Sequence, residues 1–157
     1  MTAPENPTVE EQSALHAQTR AIRGGRGGDD RSLAPVLWAT STFWTRTVEE
    51  ARSMATQAGA ERFYSRYGNP TVRGFEDLVA DLEGAEAARA YGSGMGAVSG
   101  VVLGLCSAGD HIVAQRQLYA ATQLLFQAVC PRFGIDVTFV DGTEPGAFAA
   151  AVRPGKT

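Results

Sequence analysis

From Phe63 onward, stretches with helical apolar spacing alternate with short β-branched runs. Glycines or an Asn-Pro pair punctuate each change, and few folds accommodate that alternation. Asn69 suits the cap of a helix with Pro70 at its first position. Val72, Phe75, Leu78, Val79 and Leu82 then recur at helical spacing until Gly84 stops the run. The pattern predicts a short strand over 87–91, a turn at Gly92-Ser93-Gly94-Met95-Gly96, and an apolar helix through about Cys106. Gly109-Asp110 reads as a turn and Ile112-Val113 as the centre of a strand. Residues 119–133 read as a helix with Leu124, Leu125, Val129 and Phe133 on its buried side. Ile135, Val137 and Phe139 alternate as in a strand, a short helix is expected over 143–152, and Lys156-Thr157 looks like the lead-in to a further strand. Strands alternating with helices imply crossover connections and a mainly parallel sheet covered by helices. The expected class is α/β. Because the alternation is interrupted at Thr157, an incomplete sheet is expected.

The first third reads differently. Residues 1–34 carry Pro4, Pro7, four glycines and many charges without a sustained period, and are expected to form a flexible arm. Residues 36–43 are rich in β-branched and aromatic side chains but need not form a regular strand. Thr47-Val48-Glu49-Glu50 fits a capping box opening a short helix that ends near Gly59. The division expected is an arm with a short helix over 1–62, then the first part of an α/β domain over 63–157.

Composition narrows the function. Hydrophobic residues make up 44% of the 157, enough for a packed core. The net charge of −3 and the scattered arginines offer no basic stripe for nucleic acid. Cys106 and Cys130 lack metal-ligand spacing and read as ordinary thiols of a reducing compartment. Residues 1–13 lack the apolar region of a signal peptide, and no apolar run approaches the ~18 residues of a membrane span; a cytoplasmic protein is expected. Lys156 is the only lysine, so any lysine chemistry in this chain must use it.

Three places could carry chemistry. The turn of Gly92 to Gly96 joins an expected strand to a helix. Its glycines permit close backbone approach, and the first helical amides point outward unsatisfied, which makes a phosphate site; a plain tight turn is the alternative. It is not a Walker loop, and the Gly155-Lys156-Thr157 ending lacks the earlier glycine, since position 150 is Ala150. In Tyr64-Ser65-Arg66-Tyr67-Gly68-Asn69-Pro70-Thr71, the phenol of Tyr64 and the guanidinium of Arg66 lie two residues apart and would project together from an extended segment. Such a pair suits a phosphate, the alternative being a polar loop before a capped helix. Tyr119 follows the Ile112-Val113 strand, where ligand crevices of parallel sheets lie, and could stack on a planar cofactor or simply pack on the core.

Taken together, these stretches resemble the Cys/Met-metabolism family of pyridoxal-phosphate enzymes: cystathionine γ-synthases and γ-lyases, methionine γ-lyases and O-acyl-homoserine sulfhydrylases. The matching stretches are Tyr64 to Thr71, Ser93-Gly94-Met95-Gly96-Ala97, Gly109-Asp110-His111-Ile112-Val113 and Leu118-Tyr119-Ala120-Ala121-Thr122, in order from about residue 19 to the end. The resemblance implies a fold-type I, aminotransferase-like domain, here truncated, with pyridoxal 5'-phosphate as cofactor. It implies that Ser93, Gly94 and Met95 cradle the phosphate, mainly through the amides of Gly94 and Met95. Tyr119 would stack on the pyridine ring and take part in proton transfer. Tyr64 and Arg66 would reach the cofactor phosphate of a neighbouring subunit, in a dimer that pairs into a tetramer. The implied chemistry is elimination or replacement at the γ or β carbon of cystathionine, an O-acyl-homoserine or a related amino acid.

Two departures qualify it. The family's Schiff-base lysine and the aspartate that pairs with the pyridine nitrogen lie downstream of the stretch present here. Asp141 and Lys156 come too early to be those residues, so the 157-residue chain alone is expected to be inactive. Ala120 and Ala121 replace glycines common in relatives, and Ala121 stands where methionine γ-lyases carry cysteine, which leans the reading toward a γ-synthase or sulfhydrylase. The competing expectations are a non-catalytic phosphate-binding α/β module and an inert truncation product.

Overall fold

A computed structural model describes residues 14–24, 34–57 and 59–157. It divides into two compact units, Met1–Ala90 and Tyr91–Thr157.

In the first unit, α1 spans Ala17–Arg23. It lies within the stretch expected to be a flexible arm, whose residues 1–13 and 25–33 fall outside the described residues. The helix is held from 61 positions away: Arg20 Nη1 donates to Asp81 Oδ1 at 2.9 Å and to the Asp81 carbonyl at 3.3 Å. No local pattern could announce it. Helix α2 spans Val48–Thr56. The Thr47 hydroxyl accepts the Glu50 amide at 3.0 Å, and the Glu50 carboxylate accepts the Arg46 amide at 2.6 Å, a capping box displaced by one residue. Helix α3 spans Pro70–Glu83, capped by Asn69 and stopped by Gly84 at φ 64, as the sequence predicts. Glu76 and Ala80 are its buried residues, while Val72 and Phe75 remain exposed.

The expected strand over 87–91 does not form. The Ala90 amide, which a ladder would use, donates instead to Glu76 Oε1 at 2.9 Å. Residues 36–43 make a single antiparallel bridge, Thr42 with Tyr64.

The second unit is built on two parallel strands, β1 (His111–Gln115) and β2 (Asp136–Val140), in register from His111 opposite Asp136 to Gln115 opposite Val140. Helix α4 (Gly94–Leu105) precedes them, and α5 (Ala120–Leu124) opens the crossover. The expected continuous helix to residue 133 changes pitch twice. A π-helical turn covers Leu125–Val129, and a 3-10 turn covers Cys130–Phe133. Pro131 explains this, because it lacks an N–H and its ring clashes with the carbonyl four residues back. The wider turn moves the buried face. Leu125, Phe126 and Cys130 are buried, whereas Leu124 and Phe133, expected inside, are exposed. Leu125 and Cys130 are five apart, one π-turn rather than one α-turn, and the Cys130 amide donates to the Leu125 carbonyl. Val102, Ala114 and Ile135 complete that core. Helix α6 covers only Ala147–Ala151 of the expected 143–152, and residues 154–156 turn.

Burial pushes the Cys130 thiol above its ordinary range, with Cys106 a lesser cause. Neutral thiol is thus favoured in the fold, and the resulting stabilisation is present at neutral pH and lost as pH rises through the raised value. Alkylation at pH 7.5, within about two units of the ordinary thiol range, should label Cys106 and spare Cys130 until denaturant is added. Equal labelling of both in the native protein, read by peptide mass, would contradict this packing.

Candidate functional site

In the second unit the glycine turn ends in a well-formed helix start. Ser93 is the N-cap of α4, in extended conformation at φ −162 and ψ 157, and its hydroxyl accepts the Gly96 amide at 3.0 Å. The Ala97 amide goes to the Ser93 carbonyl at 3.0 Å. The amides of Gly94 and Met95 make no hydrogen bond among the described residues, as expected of the first helical turn. A Cβ on Gly92 or Gly94 would meet nothing within 4 Å. Two unpaired amides at the positive end of a 12-residue helix, beside glycines whose Cβ positions are open, fit a phosphate-sized dianion. Ser93's hydroxyl is committed to its own helix, so the donors on offer are backbone groups.

Tyr119 stands at the N-cap of α5 and the residue is 72% exposed rather than packed on the core of the second unit. Thr122 Oγ1 donates to Met95 Sδ at 3.4 Å, tying the start of α5 to the start of α4. The glycine turn and the helix carrying Tyr119 are thereby brought together. Thr122 was legible only as a neighbour of Tyr119, one turn along the same helix.

In the first unit, Tyr64 and Arg66 come together, but not through an extended segment. After the bridge at Tyr64 the chain turns: the amides of Tyr67 and Gly68 both donate to the Tyr64 carbonyl, at 2.8 and 3.3 Å. The Arg66 guanidinium lies 4.9 Å from the Tyr64 ring centre and 5.3 Å from that of Tyr67. Neither the Tyr64 hydroxyl nor the Arg66 guanidinium has a hydrogen-bond or ion-pair partner among the described residues. Arg66 also lines a concavity of about 250 Å³ with Ser65, Tyr67, Arg73, Glu76 and Arg89. The buried Glu76 carboxylate among its lining accepts Arg89 at 3.1 Å and lies 3.6 Å from Arg73. Sequence reading missed Glu76, since nothing in the helical period distinguishes it from a solvent-facing carboxylate.

Asp141 and Lys156 are turn residues. Asp141 Oδ1 accepts the amide and hydroxyl of Thr143 at 2.9 and 2.7 Å, bonds that hold its carboxyl below the usual range. Lys156 is exposed, and its carbonyl accepts the His111 amide at 2.7 Å. Among the described residues no three His, Cys, Asp or Glu side chains gather as metal ligands, and no helix is long and apolar enough to cross a membrane.

A family model described as "Cys/Met metabolism PLP-dependent enzyme" matches residues 18–157. The chain is 39% identical over 137 residues to the O-succinylhomoserine sulfhydrylase of Pseudomonas aeruginosa, covering 87% of this chain and 34% of that protein. It is 42% identical over 129 residues to the L-methionine gamma-lyase of Fusobacterium nucleatum, covering 82% of this chain and 31% of that protein. Among solved structures, the crystal structure of metB from Corynebacterium glutamicum superposes with a TM-score of 0.78 at 31% identity, covering 90% of this chain and 36% of that one. The chain spans about a third of the length of these relatives.

Proposed function

This chain belongs to the Cys/Met metabolism PLP-dependent enzyme family, and on that premise we propose that it is the N-terminal part of an enzyme catalysing elimination or replacement at the γ or β carbon of a sulfur-metabolism amino acid. The family's cofactor is pyridoxal 5'-phosphate. Residues 63–157 form the first part of the cofactor domain, following an N-terminal stretch over 1–62 that carries α1 and α2. The observation that carries the reading is the pair of unpaired Gly94 and Met95 amides at the start of α4, within a chain matched by the family along 18–157.

The amides of Gly94 and Met95 hold the phosphate, with Ser93 shaping the turn by capping α4. Tyr119, exposed at the start of α5, stacks on the ring and exchanges protons near it through its hydroxyl. Tyr64 and Arg66, their polar ends unpaired, meet the phosphate held by a neighbouring subunit, and the assembly is a homotetramer of such dimers. When bound, the cofactor supplies the electron sink for chemistry beside the amino group. The substrate is an O-acyl-homoserine, cystathionine or a related amino acid, and Ala121, where the resemblance places the cysteine of methionine γ-lyases, leans the reading toward a γ-synthase or sulfhydrylase. The enzyme works in the cytoplasm and acts on neither nucleic acid nor membrane.

The 157-residue chain mixed with pyridoxal phosphate and reduced with borohydride should yield no specific adduct, because its only lysine, Lys156, sits in an exposed turn. A stoichiometric adduct on Lys156 would overturn the assignment of the covalent lysine to a later segment. In the full-length protein the adduct should appear on a peptide beyond Thr157.

A further inference from the structure

Asn69 does more than cap a helix. It is 7% exposed, and every polar atom of its carboxamide is used. Oδ1 accepts the Thr71 amide at 2.9 Å, the capping bond of α3. Nδ2 faces three acceptors: the Trp38 carbonyl at 3.0 Å, Ser65 Oγ at 3.1 Å and the Thr40 carbonyl at 3.4 Å. One side chain thus touches the start of α3, the segment at residues 38–40, and the turn that carries Tyr64 and Arg66.

The surrounding bonds share the same purpose. Ser65 Oγ donates to the Thr40 carbonyl at 2.6 Å, which leaves its lone pairs for Asn69. The Ser65 amide donates to the Ser41 carbonyl at 2.8 Å, and the Phe43 amide to the Phe63 carbonyl at 3.1 Å. Thr71 closes the far side, accepting the Trp38 amide at 2.8 Å and donating to the Val36 carbonyl at 3.0 Å. In this short turn Arg66 and Tyr67 are exposed and Tyr64 and Ser65 only partly buried, so packing alone holds it weakly. Here a buried carboxamide replaces packing with directional bonds.

We infer that Asn69 is a positioning residue for the Tyr64–Arg66 pair: its Nδ2 donors lock the 64–67 turn against residues 38–40 and so set the affinity for the cofactor phosphate. The inference rests on the phosphate role proposed above for that pair. Asn69 touches no ligand, and its effect passes wholly through Tyr64 and Arg66.

Asn69→Asp separates its two tasks. An aspartate caps α3 as well as an asparagine does, but it cannot donate to Trp38, Thr40 or Ser65. The experiment measures the dissociation constant for pyridoxal phosphate in the full-length protein after cofactor removal. It compares wild type, Asn69→Asp, Tyr64→Phe/Arg66→Ala, and the combination. Amide hydrogen exchange is followed at Phe43, Ser65 and along α3. Asn69→Asp should weaken binding by about tenfold, the scale of one lost buried hydrogen bond. It should speed exchange at Phe43 and Ser65 with α3 protected, and add less than about twofold in the combined variant, because coupled sites are not additive.

Wild-type affinity in Asn69→Asp would overturn the inference. So would a full tenfold loss on top of the combined background, which marks a general structural role. If Tyr64→Phe/Arg66→Ala itself binds like wild type, the phosphate assignment fails and this inference with it. Should Asn69→Asp not fold, Ser65→Ala, which removes one of the three acceptors, must show the same non-additivity; additive behaviour there overturns the inference equally.

Discussion

Replacing Tyr64 by phenylalanine and Arg66 by alanine together is expected to raise the dissociation constant for pyridoxal phosphate by on the order of 100-fold. A hydrogen bond to a charged group contributes about 1.5–3 kcal/mol, so loss of two, acting on one anion and therefore not additive, gives that scale. The fold should survive. The Tyr64 ring, which packs edge-on against Tyr67 with centres 6.3 Å apart, is retained as phenylalanine. Arg66 is exposed and makes no ion pair among the described residues, so its removal forfeits little beyond its contacts with the Tyr64 and Tyr67 faces. Titration of the cofactor-free full-length protein, with circular dichroism as the check on folding, decides it. Unchanged affinity would remove both residues from the phosphate site.

The second large effect is expected at Gly94. Proline there should deprive the phosphate of one amide and leave the helix intact. Gly94 is the first residue of α4, a position whose N–H no helical bond uses and where proline is well tolerated. The residue before a proline must be extended, and Ser93 already is, at φ −162 and ψ 157. Gly94→Pro should therefore weaken pyridoxal phosphate binding about tenfold or more through loss of one charge-accepting bond. Gly94→Ala is the control, since it keeps the amide and adds a Cβ that meets nothing within 4 Å. If alanine costs as much as proline, close approach rather than donation is what glycine provides. If neither matters, the cradle is elsewhere.

These experiments address groups that the sequence marked in different ways. The helix Pro70–Glu83 was readable in full, because its cap, its first proline and its terminal glycine each impose a local backbone preference that needs no distant partner. The start of α4 was readable for the same reason, and so were both parallel strands, whose β-branched runs sit between turn residues. The identity of the candidate site residues likewise came from local motifs in a fixed order.

What the chain's own residues could not announce were the features set by partners far along it. Helix α1 lies in a stretch with no period and is tied by Arg20 to Asp81, and within 87–91 the Ala90 amide goes to the Glu76 carboxylate instead of a ladder. Pro131 was plain to see as a break, yet the sequence did not show that the helix would widen into a π-turn before it, with Phe126 and Cys130 buried and Leu124 and Phe133 exposed. Tyr64 and Arg66 lie together across a turn bonded to Asn69, not along the extended segment the spacing suggested. Local preferences act within a few residues, so motifs and caps are written in the sequence. Burial, ion pairs and the use of a carboxamide's hydrogens depend on which distant groups arrive beside them, and only the tertiary structure brings those groups together.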